Sequence, residues 1–309
     1  MGLYPIGGLL RRYRTEHNIS QQELCDGICS VPTLSRIENG ERLPTKANFD
    51  ALMQRMGYSG EACDIYCCEQ EYEIHEIKYQ LREVILKNEY EVADGLLKKL
   101  VLFPESKTEN VHKQFVLYMS ALIESKGIYT QETIEKLEAA IKITIRHYGE
   151  IKICNLLLTC DEIRILNSIA VAYGQNGNLR KAIQIFYELK DYMEERYISS
   201  EEKIKFYPGI LYNLSKALGL EKRYDECIDL CDFAIKKLNE YRVMSHLGLI
   251  IFNKVWCMIM MKKNSEENLE CRQYLLQAYY IQVSVGDDMN AKVIKEFTLK
   301  HYPYLSDIL

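Results

Sequence analysis

The chain has 309 residues, which is too long for one small domain, and its composition is that of a globular protein with long elements. Gly (16) and Pro (6) are scarce, so turns are few, and 48% of the residues are hydrophobic against 27% that are charged. These values exclude a disordered, collagenous or fibrous chain. The net charge of −5 argues against a protein that coats nucleic acid through bulk charge. Residues 1–60 are slightly basic, with seven Arg or Lys and six Asp or Glu, and the remainder is acidic.

No targeting or membrane segment is predicted, so we expect a cytoplasmic chain. The N-terminus lacks the basic and apolar regions of a signal peptide, and the most apolar stretch, 247–261, is interrupted by Asn253 and Lys254. The eleven cysteines are therefore expected as free thiols. Their four-residue spacings are those of one helix face, at Cys25/Cys29, Cys63/Cys67/Cys68 and Cys227/Cys231. Without a paired C-x-x-C or a histidine cluster, we expect packing roles, no metal and no cofactor.

Residues 1–58 predict a small helical domain, which we call the head. Ser20 and Glu23 form a capping box that begins its second helix. Ser30 is placed to cap a third helix, which Gly40 ends in the left-handed conformation.

The sequence of this head resembles the Xre/Cro-type helix-turn-helix family. The matching residues are Ser20-Gln21-Gln22-Glu23-Leu24, then Leu34-Ser35-Arg36-Ile37-Glu38-Asn39-Gly40, and Pro44. The resemblance implies a five-helix DNA-binding domain whose second motif helix enters the major groove. The turn Ile28-Cys29-Ser30-Val31 is one residue shorter than the common pattern and lacks its glycine.

The resemblance also assigns roles to residues of the head. The expected base-facing residues are Val31, Pro32 and Arg36, with Ser30 and Thr33 near the DNA backbone, and Gln21, Asn39 and Arg42 match phosphate-contacting positions. Arg36 is the strongest candidate for a base contact, because a guanidinium can donate hydrogen bonds to O6 and N7 of one guanine at the same time. Arg14 and Glu38 match a structural ion pair that ties the first helix to the third.

From residue 59 onward the sequence predicts helix after helix, with small residues recurring at positions 93, 139, 182, 227 and 271. Four of them are followed four and then three positions later by further packing residues, and Ala139 marks a weaker copy. This pattern resembles the tetratricopeptide repeat (TPR) with longer helices. Capping boxes mark three predicted helix starts, at Thr159/Glu162, Ser199/Glu202 and Asn264/Glu267. We expect an all-α fold in which the helix-turn-helix domain precedes a right-handed TPR-like α-solenoid of about five helix pairs. The predicted boundaries are 1–58 for the head, 59–76 for a linker helix, 77–286 for the repeats and 287–309 for a C-terminal capping helix.

The predicted inner face of the repeats carries side chains suited to binding a peptide. These are Arg164, Asn167, Tyr212, Asn213, Lys216, Asn253 and Trp256. An asparagine amide both donates and accepts, so it pairs with a peptide bond whatever side chain that bond carries. Tyr212 and Trp256 would offer side-chain pockets. For any single asparagine, a helix cap or a solvated position is the alternative.

The combination of one Xre-type head, a linker helix and five long TPR-like pairs resembles the RRNPP group of quorum-sensing transcriptional regulators (Rgg, PlcR and PrgX types). The resemblance implies a cytoplasmic homodimer that binds a double-stranded DNA operator, with no membrane association. A short signalling peptide in the TPR-like groove would gate DNA binding or activation.

Three alternatives remain open at this point. In the first, the protein is a transcriptional regulator without a peptide ligand, and its repeats bind a protein partner or serve only for dimerisation. TPR relatives that lack a DNA-binding head act as phosphatases or response-regulator blockers, but the intact helix-turn-helix argues against that role. An enzyme is not expected, because phosphate-binding, zinc-protease and hydrolase motifs are absent and the six histidines are scattered.

Overall fold

A computed structural model describes residues 5–59, 68–261, 269–306 and 308. Within these ranges the regular elements are helices, accompanied by one isolated bridge between Tyr148 and Ile151. The prediction of an all-α fold is confirmed.

The head contains four helices in residues 5–59, which are α1 (Pro5–Glu16), α2 (Gln21–Cys25), α3 (Val31–Glu38) and α4 (Lys46–Arg55). The capping box of Ser20 and Glu23 begins α2, and the Ser30 hydroxyl accepts a hydrogen bond from the Thr33 amide at the start of α3. A shared core of fully buried side chains, including Leu10, Leu24, Leu34 and Leu52, joins the four helices. The resemblance implied five helices in this domain, and residues 5–59 contain four; residues 60–67 lie outside the described ranges.

The turn between α2 and α3 contains a glycine, contrary to the sequence-based expectation. Helix α2 ends at Cys25, so the turn begins before Ile28, and Gly27 within it has φ +69°. Glycine adopts this left-handed conformation at little cost because it has no Cβ. The error arose because Ile28, although it follows the helix, is buried like a helical core residue.

The later helices follow one another in pairs, as predicted. The pairs are α5 (Glu69–Leu86) with α6 (Tyr90–Leu102), α8 (Asn110–Ser125) with α9 (Gln131–Thr144), α10 (Cys160–Gln175) with α11 (Leu179–Glu195), α12 (Ser200–Leu220) with α13 (Tyr224–Tyr241), and α14 (Leu247–Met260) with α15 (Leu269–Ser284). A short helix α7 (Glu105–Thr108) precedes the second pair, and α16 (Asp288–His301) follows the last. The prediction of TPR-like pairs is therefore confirmed.

Most of the predicted small-residue positions are packed, but the register of the second pair was wrong. Ala93, Ala182, Cys227 and Cys271 are all fully buried. Ala139 is exposed, whereas its neighbour Ala140 is fully buried. One residue turns an α-helix by about 100°, so a shift of one position moves a side chain off the packed face. In α9 the buried series at the expected spacings is Thr133, Leu137 and Ala140.

The chain divides into two compact units. Unit 1 comprises Met1–Gly177 with Asp191–Lys203, and unit 2 comprises Asn178–Lys190 with Ile204–Leu309. The head therefore belongs to the same unit as the first helix pairs. Helix α5 runs continuously through residue 76, where the linker was predicted to end. The predicted domain boundaries otherwise stay predictions.

The cysteines in the described ranges form no disulfides, and most of them are buried. The free cysteines are Cys25, Cys29, Cys68, Cys154, Cys160, Cys227, Cys231, Cys257 and Cys271. Cys63, Cys67 and the capping box at Asn264 and Glu267 lie outside the described residues. In the part of the chain that is described, no three His, Cys, Asp or Glu side chains are grouped so as to hold a metal ion. No helix among these residues combines the length and apolar character needed to cross a membrane.

Candidate functional site

Helix α3 buries one face in the head and exposes the other. Leu34 and Ile37 are 0% and 2% exposed and pack in the core. Val31, Pro32 and Arg36, the predicted base-facing residues, are all exposed. Asn39 and Arg42, two predicted phosphate contacts, are exposed just beyond the helix. The head thus holds an exposed helix face with an arginine on it, an arrangement suited to major-groove recognition.

The start of α3 is stabilised by its own side chains. The Ser30 hydroxyl oxygen lies 3.2 Å from the Thr33 amide nitrogen and accepts its hydrogen bond, and the two hydroxyl oxygens are 2.8 Å apart. These bonds fix the first turn of the helix, where the sequence placed contacts with the DNA backbone.

Arg14 and Glu38 form the ion pair that the resemblance implied. Arg14 donates from Nε to Oε1 at 2.6 Å and from Nη2 to Oε2 at 2.9 Å. Burial acts to raise the pKa of Glu38, but the hydrogen bonds from Arg14 and Gln21 outweigh it, and the pKa is lowered. Gln21, predicted as a phosphate contact, donates its amide to Glu38 Oε2 at 2.8 Å. The structure therefore places Gln21 in the network that joins α1 to α3.

An ion pair and several hydrogen bonds join the head to the repeats within unit 1. Arg55 at the end of α4 donates to Glu162 of α10 at 3.0 Å and to the carbonyl oxygen of Leu24 at 3.2 Å. The Thr144 hydroxyl donates to the same Glu162 oxygen at 2.6 Å. The sequence indicated Glu162 only as a capping residue and gave no signal for Arg55, because their contact spans 107 positions.

Two glycines allow the backbones of the head and the repeats to approach closely. A Cβ on Gly27 would lie 2.0 Å from the carbonyl oxygen of Thr144, and one on Gly57 would lie 2.0 Å from that of Tyr197. Gly57 also accepts a hydrogen bond from the Ser199 amide at 2.8 Å. The docked arrangement of the head thus depends on glycine at both positions.

Two of the predicted peptide-binding residues, Arg164 and Asn167, lie on α10 in unit 1, where Arg164 joins a group of cations that the sequence did not reveal. Arg164 and Arg82 both donate to the Asp161 carboxylate, at 2.9 Å and 3.0 Å. Lys78 lies near the same carboxylate, and burial lowers its pKa to about 8. We call Lys78, Arg82 and Arg164 the cationic cluster.

The cationic cluster keeps its nearest carboxylate ionised. Burial acts to raise the pKa of Asp161, but Arg82, Arg164 and Lys78 overcome it and lower that pKa to about 2. Glu109, also near Lys78, has a raised pKa because it is buried. The three cations therefore lie near the firmly ionised Asp161, near Glu109, which is more easily protonated, and, at Lys78, near Asp50 as well.

The other five predicted peptide-binding residues lie in unit 2, on the first helices of the last two pairs. Tyr212 packs against His246, with ring centroids 5.5 Å apart, and Trp256 meets Tyr224 edge to face at 6.0 Å. Asn253 donates its side-chain amide to the Ser215 hydroxyl at 2.8 Å. On the same helices, Asn213 is half-buried and Lys216 is exposed. The seven predicted residues are thus divided between the two units.

Comparisons with known proteins match both parts of the chain. A helix-turn-helix family model matches residues 10–62, and a model described as the RNPP family C-terminal domain matches residues 104–296. None of the curated proteins matches the sequence.

Solved structures share the fold over nearly the whole length of this chain. Bacillus thuringiensis PlcR in complex with the peptide PapR7 and DNA is 19% identical with a TM-score of 0.58, covering 95% of this chain and 98% of that one. The apo form of PlcR from the same organism is 17% identical, with a TM-score of 0.57 and coverages of 94% and 98%. The apo form of the competence regulator ComR from Streptococcus vestibularis is 14% identical, with a TM-score of 0.56 and coverages of 96% and 98%. At these identities the likeness concerns the fold.

Proposed function

Because the chain belongs to the RNPP family, whose C-terminal domain model covers more than half of it, we propose that it is a cytoplasmic, peptide-gated transcriptional regulator. Its helix-turn-helix head binds an operator in double-stranded DNA, and its TPR-like repeats bind a short signalling peptide. Members of this family are transcriptional regulators rather than enzymes, in agreement with the expectation from the sequence.

The observation that carries the proposal is the exposed face of α3 in a head that is otherwise well packed. Arg36 is exposed on that face, one turn beyond Pro32, while Leu34 and Ile37 fix the helix in the core. PlcR, which shares the fold, has been solved together with DNA and a peptide.

The DNA-binding role is tested with the full chain and a site selected from random duplexes. Arg36→Ala should weaken binding to the selected site by about 1–3 kcal/mol and relax the preference at one base pair, because a bidentate contact is removed. Arg146→Ala is the matched control, since Arg146 is also exposed but lies on the loop after α9. Equal affinities of the Arg36→Ala variant and the wild type in gel-shift titrations would contradict the assignment.

The peptide-binding role is supported by residues on the first helices of three pairs, α5, α10 and α12. The cationic cluster supplies two guanidinium groups and an ammonium group, which are suited to the carboxylate of a short peptide. Asn167 on α10 and Asn213 on α12 are half-buried, and their amides are suited to a peptide backbone.

Peptide binding is tested by calorimetry with synthetic C-terminal fragments of any small secreted pro-peptide encoded beside the gene. The double variant Asn167→Ala/Asn213→Ala and the single variant Arg82→Gln should each weaken binding at least tenfold. Lys222→Gln on a turn of unit 2 is the control. Affinities unchanged in both variants would show that the peptide, if it binds, lies elsewhere.

We infer a homodimer from an exposed apolar face at the C-terminal end of unit 2. Val283, Met289 and Val293 are 45%, 75% and 50% exposed on α15 and α16. Met289 and Val293 lie one turn apart on α16, and soluble monomers rarely leave clustered apolar side chains in water. Met289→Glu with Val293→Glu should shift the mass measured by light scattering to that of one chain. A monomeric wild type would refute the dimer, and a dimer without peptide binding would favour repeats that serve only dimerisation or a protein partner.

A further inference from the structure

A polar cavity lies between the head and the repeats in unit 1, away from the exposed face of α3. Its volume is about 260 Å³. The head contributes Asn18, Ile19 and Asp26 to its walls, and the repeats contribute Ile145, Leu156 and Arg196, among others. The volume is just below the range of about 300–1,000 Å³ typical of sites for drug-sized ligands, which suits a smaller molecule.

Two oppositely charged groups of the cavity wall retain unused hydrogen-bonding capacity. Arg196 uses its Nε to donate to the carbonyl oxygen of Cys154 at 3.1 Å, which holds the side chain in place. Within the described ranges, the terminal nitrogens of Arg196 have no hydrogen-bond acceptor and the Asp26 carboxylate has no donor. Arg55 bonds to the backbone carbonyl of Asp26, so the carboxylate stays available.

Four aliphatic side chains form part of the wall, beside polar and charged ones that include His17, Asn18, Glu23 and Arg55. Ile19, Ile145, Leu156 and Leu157 line the cavity together with the charged groups. A matching ligand carries one carboxylate, one ammonium group and a branched apolar body. These are the features of a free aliphatic amino acid.

We propose that this cavity binds a free aliphatic L-amino acid, with leucine, isoleucine and valine as the candidate ligands. The carboxylate binds the Arg196 guanidinium, the ammonium group binds Asp26, and the side chain packs against Ile19 and Leu156. Because the ligand touches both the head and the repeats, it stabilises the docked arrangement of the head. The site uses none of the residues proposed for the signalling peptide, so it would act as a second input.

The test is calorimetry and thermal melting of the full chain with L-leucine, L-isoleucine and L-valine. At least one should bind saturably and raise the melting temperature. L-Leucinamide, which lacks the carboxylate, and 4-methylpentanoate, which lacks the ammonium group, should each bind at least about tenfold more weakly than L-leucine. No saturable binding by any of the three amino acids at 10 mM would overturn the proposal, and so would equal binding of either analogue.

Variants distinguish the loss of the binding site from a general effect on the fold. Arg196→Gln and Asp26→Asn should each weaken binding about tenfold or more. Asn155→Trp, at an exposed position of the lining, should fill the cavity and abolish binding without removing a charge. Arg146→Gln is the matched control, because Arg146 is exposed beside Ile145 but does not line the cavity. Unchanged affinity in Arg196→Gln or Asn155→Trp would refute the site even if the amino acid binds elsewhere.

Discussion

Arg55 of the head and Glu162 of the repeats form an ion pair at 3.0 Å, with only 3% and 0% of their side chains exposed. Arg55 also donates to the carbonyl oxygens of Leu24 and Asp26, next to the turn of the helix-turn-helix. Glu162 accepts in addition from Thr144 and from the Thr159 amide. Charges buried at this depth are tolerated only when they are paired and hydrogen-bonded, so this pair fixes where the head docks.

Removing the carboxylate of this pair should destabilise the docked protein strongly. Glu162→Gln leaves the guanidinium of Arg55 buried without a counter-charge, which costs about 3–5 kcal/mol. Urea unfolding followed by circular dichroism measures the loss. The control is Glu16→Gln, which removes the partner of Arg12 from a pair that is 61% and 55% exposed, and it should cost at most about 1 kcal/mol. Similar losses in the two variants would show that the buried pair is not a determinant of stability.

Gly27→Ala should undock the head from the repeats. The substitution places a methyl group 2.0 Å from the Thr144 carbonyl oxygen and adds the cost of a left-handed alanine, about 1–2 kcal/mol. Gly149→Ala is the control, because Gly149 has φ +91° but a Cβ added there would have no atom within 4 Å. We expect both variants to lose stability and only Gly27→Ala to become sensitive to proteolysis near residue 27. Equal cleavage of the two variants would contradict the close approach.

The buried His112 should make the protein sensitive to acid. Burial, assisted by Lys78, lowers the pKa of His112 to about 2, whereas the unfolded chain titrates near 6.5. Between these values the unfolded state binds the extra proton, so His112 makes stability fall as the pH decreases below 6.5. His112→Leu should flatten this dependence between pH 6.5 and 4 in urea titrations.

His147→Leu is the matched control for the acid dependence, since its imidazole is 60% exposed. This variant should keep the slope of the wild type. If His112→Leu also keeps it, another group is responsible for the loss of stability in acid.

Placing a charge at each of two adjacent alanines in α9 should change the stability by very different amounts. Ala140 is fully buried and Ala139 is exposed. Ala140→Glu buries an unpaired carboxylate and should cost about 3 kcal/mol or more, whereas Ala139→Glu should change stability by less than about 0.5 kcal/mol. Thermal unfolding of the two variants distinguishes them. A larger loss in Ala139→Glu would favour the register predicted from the sequence.

Features that depend on neighbouring residues could be predicted from the sequence. The capping boxes at Ser20 and Thr159 form as expected, because both partners lie three positions apart on one helix. The helix pairs also follow from local hydrophobic spacing and turns. In the head, the Arg14–Glu38 pair was available only through the family resemblance, since 24 positions separate its members.

The candidate site was predictable in part. The exposed face of α3 follows from helical periodicity once Leu34 and Ile37 are placed in the core. The register of α9 was wrong because two adjacent alanines look alike in sequence, and only packing against neighbouring helices selects Ala140.

The sequence by itself determined an all-α chain with a DNA-binding type of head and long TPR-like pairs, because caps, turns and helical periodicity are local properties. Only the tertiary structure decided how the head is held, since Arg55 meets Glu162 across 107 positions and Gly27 meets the backbone of Thr144. The cationic cluster and the cavity beside Asp26 and Arg196 arise in the same way. Contacts between residues far apart in the chain depend on how whole helices pack, and no local pattern encodes that choice.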